Sequence, residues 1–180
     1  MDKLSVVKIG GNVIEEEAVL KSFLTDFAQM QGPKILVHGG GKKATAMAQQ
    51  LDVPVQIVEG RRITDDKNLD IITMLYGGKI NKNIVAQLQG LSCNAIGLSG
   101  ADGNAIQAIK RPFKTIDYGF VGDVTGVNSV FFKMLLEAGY TPVCCAITHD
   151  QKGQLLNTNA DTIASTLSKG LSEYFEVIRK

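Results

Sequence analysis

Four stretches hold residues whose types and spacing can do chemistry: Lys8-Ile9-Gly10-Gly11, His38-Gly39-Gly40-Gly41-Lys42, Gly60-Arg61-Arg62 and Asn157-Thr158-Asn159-Ala160-Asp161. Lys8 closes an apolar run, where an ammonium is desolvated unless it meets an anion. The glycine pair behind it lets backbone N–H groups approach that anion, so the segment reads as one edge of a phosphate site, with Gly10 and Gly11 as phosphate-binding positions. Its plain counterpart is a lysine that snorkels from a strand end. Gly39-Gly40-Gly41 ahead of a helix offers free N–H groups at a positive dipole end, a second anion site, or else a purely structural turn. Neither a Gly-x-x-x-x-Gly-Lys-Ser/Thr loop nor a Gly-x-Gly-x-x-Gly fingerprint is present. Arg62 has the planar fork that clamps a carboxylate, with Arg61 facing the other way. Asn159 and Asp161 fit a helix cap and a dipole partner, yet a carboxylate at Asp161 would also orient Lys8 toward developing phosphoryl charge.

The bulk properties restrict what these stretches serve. A chain of 180 residues, 44% hydrophobic with formal net charge +1, is one ordinary globular domain with a sizeable core. Without a basic run there is no footprint for nucleic acid, so small anions are the expected partners. Cys93, Cys144 and Cys145 read as buried thiols, with Cys144 and Cys145 on opposite faces of a strand. No Cys or His cluster points to a metal. No stretch spans a bilayer and no signal-type segment opens the chain, so a reduced cytoplasmic location is expected, with no membrane partner.

The positioning elements follow from periodicity. Residues 4–9, 34–37, 95–98 and 141–147 are short apolar runs of the kind buried on both faces of a parallel sheet. Between them come amphipathic helices: one with acids 15–17 in its first turn and Leu20, Phe23, Leu24 and Phe27 on one face, and one over 44–51. The sequence predicts a hairpin with residues 55–58 and 62–64 flanking a turn at 59–61, then a helix capped by Thr64 or Asp65 and interrupted at Gly77-Gly78. That helix and its continuation over 80–88 form a candidate subunit interface. Residues 105–109 and 120–124 read as an antiparallel excursion. Asn128 caps a helix with Val130, Phe131, Met134, Leu135 and Ala138 inward, closed by Gly139. A polar turn over 155–161 leads to a last helix with Ile163, Leu167 and Leu171 on one face, and residues 174–178 begin a further strand. The order specifies an α/β protein, a three-layer αβα sandwich around a mainly parallel open sheet. Ligands bind beyond the carboxyl ends of such strands, where the lysine, triple-glycine, Ser99–Gly103 and Asn157–Asp161 segments are all expected to fall.

Together these residues resemble the amino-acid kinase family, in its acetylglutamate branch. The matching segments, in order over nearly the whole chain, are Val7-Lys8-Ile9-Gly10-Gly11, Val37-His38-Gly39-Gly40-Gly41, Gly60-Arg61-Arg62-Ile63-Thr64, Asp70-Ile71-Ile72, Val121-Gly122-Asp123-Val124 and Asn157-Thr158-Asn159-Ala160-Asp161. The resemblance implies ATP-dependent phosphorylation of the γ-carboxylate of an N-acylated glutamate in arginine biosynthesis, with Mg2+ arriving on the ATP, and a homodimer. It implies catalytic roles for Lys8 and Asp161, substrate contacts from Gly40, Gly41, Arg62, Asn157 and Asn159, and no catalytic base. The attacking carboxylate is already ionised at neutral pH.

Members of that family are longer, and their ATP-binding half follows the helix that the Asn-x-Asn-Ala-Asp turn opens. The expectation is therefore a single amino-terminal lobe over residues 1–180, with the nucleotide half missing after about 175 and phosphorylation weak or absent. Three alternatives stand beside this one: another acceptor, such as N-succinyl-glutamate, aspartate, glutamate, uridylate or carbamate; a non-catalytic acylglutamate-binding or dimerising module; and an unrelated Rossmann-like nucleotide binder.

Overall fold

The structure, a computed structural model, describes residues 2–180. Its centre is a five-stranded sheet in which every pairing is parallel: β11 (Glu176–Arg179), β1 (Lys3–Ile9), β2 (Lys34–His38), β8 (Thr141–Cys145) and β5 (Ala95–Leu98), in that spatial order. Every residue of β2 and β8 is buried, which requires cover on both faces of the sheet. One group of helices, α6 (Ser129–Glu137) and α7 (Ala160–Leu171), packs together, α6 on β8 and α7 on β1 and β2; α2 (Glu17–Gln29) and α5 (Asn81–Gly90) meet each other elsewhere, with α5 on β5 and β8. The α/β sandwich with a mainly parallel sheet is therefore present.

A second sheet of four strands, in the order β10 (Leu155–Asn157), β9 (Ile147–His149), β6 (Ile106–Lys110) and β7 (Gly122–Val127), is larger than the expected antiparallel excursion. Residues 141–147, read as one strand, divide at Ala146 between β8 and β9 and so join the two sheets. The segment read as a polar turn over 155–161 contains β10, antiparallel to β9. A uniformly buried run looks the same in sequence whichever sheet receives it.

Two helices also differ from their expected outlines. The first begins early, as a short α1 (Gly11–Glu15), and Glu16 takes extended backbone before α2 starts, so acids 15–17 straddle a break. The helix opening at α4 (Asp66–Ile72) is not interrupted at Gly77-Gly78. It widens into a π-helical stretch over Thr73–Ile80 and continues as α5, an accommodation that glycines ease and that recurs at functional positions. Asp65 is its N-cap: the carboxylate accepts from the Asn68 N–H at 2.8 Å and its pKa is lowered by that bond.

In α6 the Asn128 cap is present, accepting from the Phe131 N–H at 3.1 Å, and Gly139 follows the helix at φ +79°. The inward face is Phe132, Leu135 and Leu136, whereas Val130 and Met134 are 67% and 55% exposed. The helix is apolar on most of its circumference, so spacing alone did not select its buried stripe.

Candidate acceptor site at the triple glycine

β2 delivers His38 to the carboxyl end of the sheet, and Gly39 and Gly40 turn the chain into α3 (Gly41–Gln50). Gly40 has φ +153°, and a Cβ there would lie 2.5 Å from Ile80 Cδ1 and 3.0 Å from Tyr76 Cε1. Both neighbours come from the π-helical stretch, so the glycine is demanded by conformation and by contact. With no side-chain cap at Gly40, the first N–H groups of α3 have no capping partner. By contrast, neither Gly10 nor Gly11 has left-handed backbone, and a Cβ at Gly11 would make ordinary contact with the Lys42 side chain at 3.6 Å.

His38 fixes this turn from below. The ring is fully buried, with Nδ1 2.9 Å from the Gly39 carbonyl and Nε2 3.0 Å from Asn81 Nδ2. A carbonyl only accepts and an amide nitrogen only donates, which assigns the neutral tautomer: Nδ1–H donates to Gly39 and Nε2 accepts from Asn81. Asn81 Nδ2 also donates to the Val143 carbonyl at 2.9 Å, locking it onto β8. Burial lowers the imidazole pKa to about 4, so the ring is neutral at physiological pH.

Arg62 enters from the hairpin. Its strands are β3 (Ile57–Val58) and β4 (Arg61–Arg62), shorter than expected, and the turn is the two residues Glu59 and Gly60, at φ +50° and +74°, so Arg61 belongs to a strand. Arg62 is buried: Nη1 donates to Asn68 Oδ1 at 3.2 Å, and Nη2 donates to the Gly41 carbonyl at 3.0 Å and to Thr45 Oγ1 at 2.6 Å. Three of its five N–H groups thus tie the hairpin to α3 and α4. Arg61 does not turn away entirely; it lines this cavity and a neighbouring one.

These parts enclose a cavity of about 340 Å³ lined by Gly39, Gly40, Gly41, Arg61, Arg62, Tyr76, Asn157 and Asn159, among others. Asn157 Nδ2 donates to Thr64 Oγ1 at 3.0 Å. Asn159 is the N-cap of α7, its Oδ1 accepting from the N–H groups of Asp161 at 2.8 Å and Thr162 at 3.1 Å, while the residue still borders the cavity. Asn159 is thus both the cap of α7 and a residue of the cavity wall.

Lys8 and Asp161 meet, Nζ to Oδ1, at 3.1 Å, but they line a separate cavity of about 250 Å³. Gly10 and Gly11 line neither cavity; a Cβ at Gly10 would lie 3.7 Å from Lys8 Nζ. The two cavities adjoin through α7, whose Ala160 borders the first and Asp161 the second. Ser99–Gly103 borders neither: Asp102 accepts from Ser99 N and Oγ at 2.6 and 2.7 Å and closes that turn on itself.

Sequence reasoning missed Tyr76, Thr45 and Asn68. Tyr76 occupies an apolar position of its helix and reads as core, which it also is; Thr45 and Asn68 acquire a role only through the distant Arg62. Cys144 and Cys145 are buried thiols whose pKa values burial pushes up, to about 12 for Cys145, as expected.

The acetylglutamate kinases of Phocaeicola vulgatus and Bacteroides fragilis are each 53% identical over 176 residues, covering 98% of this chain and 68% and 67% of theirs. That of Cytophaga hutchinsonii is 55% identical over 178 residues, so the chain spans about two thirds of the length of these relatives. Among solved structures, a Streptococcus mutans protein superimposes with a TM-score of 0.78 at 24% identity over 94% of this chain and 69% of its own. The N-acetylglutamate synthase of Neisseria gonorrhoeae gives 0.77 at 20% over 94% and 39%, and both likenesses show the fold. The amino acid kinase family matches residues 3–172, and with half of the aligned positions shared with its kinases the chain belongs to that family.

Proposed function

We propose that the chain serves the phosphorylation of the γ-carboxylate of N-acetyl-L-glutamate by ATP, giving N-acetyl-L-glutamyl 5-phosphate. The observation that carries this reading is the triple-glycine cavity with Arg62 built into its wall, in a chain more than half identical to acetylglutamate kinases. Arg62 keeps Nε–H and one Nη1–H beyond its internal bonds, donors suited to the substrate's α-carboxylate, and Asn157 keeps its amide oxygen. The free N–H groups at Gly40 and Gly41 face the reacting end. One γ-carboxylate oxygen attacks the terminal phosphorus of ATP, the bond to the bridging oxygen breaks, and ADP leaves. No proton moves, so positioning and charge neutralisation by Lys8, oriented by Asp161, are what the protein supplies.

In this reading residues 1–180 are the acylglutamate-binding lobe, and the main contacts to ATP and its Mg2+ lie in the third of the relatives' length that the chain does not match. A homodimer through the helix from Asp66 to Gly90 and a place in the cytoplasm belong to the same proposal. Among the described residues no helix is long and apolar enough to cross a membrane.

Calorimetric titration with N-acetyl-L-glutamate tests the reading. Saturable binding by the wild-type chain, lost in Arg62→Ala while the variant stays folded by circular dichroism, is the expected result. Absence of binding, or equal binding by the variant, refutes the acceptor assignment. A parallel titration with N-succinyl-L-glutamate decides the acyl group.

A further inference from the structure

The wall of the triple-glycine cavity holds a polar group with no partner in the protein. Tyr76, on the π-helical stretch, is 5% exposed and lays its ring against Gly40. Among the described residues its hydroxyl forms no hydrogen bond, yet no fully enclosed side-chain nitrogen or oxygen lacks one. The hydroxyl therefore opens onto space, and the space that Tyr76 borders is this cavity. A Cβ on Gly41 would lie 3.8 Å from Tyr76 Oη, so the tip of the phenol sits beside the turn whose N–H groups have no cap. The Gly41 carbonyl, in the same turn, accepts from Arg62 Nη2 at 3.0 Å. A hydroxyl held this deep without a partner is a net cost that phenylalanine at the same place would avoid. Burial raises the phenol's pKa above its ordinary value of 10.0, with the charge of Arg62 opposing, so the group keeps its proton and can donate at neutral pH. Every charged side chain in the lining is a cation, Lys42, Arg61 or Arg62, so the wall offers this donor no carboxylate.

We infer that the Tyr76 hydroxyl is an acceptor-binding group, donating a hydrogen bond to the carboxylate seated at the Gly40 and Gly41 N–H groups. The inference rests on the function proposed above, in which that group is the γ-carboxylate. Tyr76 then holds the oxygen that does not react, and the other is left to face the phosphorus. The bond also selects the acceptor, because a carboxylate takes a charge-assisted hydrogen bond and a neutral group in its place takes a weaker one. Tyr76 lies outside every segment that carries the family resemblance.

The test is calorimetric titration of the 180-residue chain, wild type and Tyr76→Phe, with N-acetyl-L-glutamate and with N-acetyl-L-glutamine, whose side chain ends in a carboxamide. Tyr76→Phe is expected to weaken binding of the acid about tenfold. Its thermal melt stays at or above that of the wild type, because the ring on Gly40 is kept. The amide is expected to bind the wild type more weakly and to lose less on the substitution. The chain has four tyrosines and no tryptophan, and Tyr118, Tyr140 and Tyr174 do not border the cavity. Binding of the acid is therefore expected to shift the near-ultraviolet tyrosine band of the wild type and not that of Tyr76→Phe. Equal affinity of the two proteins for the acid, with binding lost in Arg62→Ala, overturns this inference and leaves the acceptor reading standing. An equal loss for acid and amide also overturns it, by placing the bond elsewhere on the ligand. No binding by the folded wild type refutes the acceptor reading and this inference with it.

Discussion

The two cavities beside α7 are built in opposite ways. Around the triple glycine, backbone and side chains are held by buried bonds: His38 under Gly39, Asn81 between His38 and β8, and Arg62 across Gly41, Thr45 and Asn68. Around Lys8 the main tie is an ion pair whose lysine and aspartate side chains are 28% and 70% exposed. The difference teaches where geometry is prepaid. A cavity closed by buried bonds keeps its shape, while an exposed ion pair leaves its cation within reach of solvent and free to adjust.

The sharpest way to break the contrast is Gly40→Ala. The added Cβ would press on Ile80 and Tyr76 in a backbone region alanine rarely adopts, so a loss of about 3–4 kcal/mol is expected by urea denaturation, with acceptor binding abolished. A smaller, reversible effect comes from acid. The buried His38 has its folded pKa lowered to about 4 against an ordinary value of 6.5, so between these values the unfolded chain binds the extra proton. Stability therefore rises with pH through this window and is lost on acidifying from 6.5 toward 4, by about 3 kcal/mol at most. Denaturation across this range, compared with His38→Gln, isolates the contribution; equal slopes would remove it. The least effect on stability is expected at Asp161→Ala, below about 1 kcal/mol because the pair with Lys8 is exposed. A large loss of stability there would mean the two regions are not built differently.

Much of this was readable before any coordinates. Lys8 and Asp161 meet, Asn159 caps α7, and Gly40, Arg62 and Asn157 gather at one cavity as the motifs imply. Each depends on strand ends and helix starts, which local patterns mark well. The second sheet, the π-helical stretch and the inward face of α6 were not readable, because each depends on what packs against a segment that is apolar throughout or rich in glycine. Tyr76 illustrates the limit: its spacing declares it core, and only its contact with Gly40 makes it a wall of the site.

The order of elements, the parallel sheet, the family and the chemical types at the site follow from the sequence by itself, since hydrophobic period, glycine turns and caps are local properties of the chain. The division of the site into a braced cavity and an open one was decided only by tertiary structure. So were the neutral tautomer of His38 and the pairing of Arg179 with Val6 across two parallel strands, residues 173 positions apart. Such pairings depend on strand register and helix docking, which bring distant residues together through the packing of the whole chain.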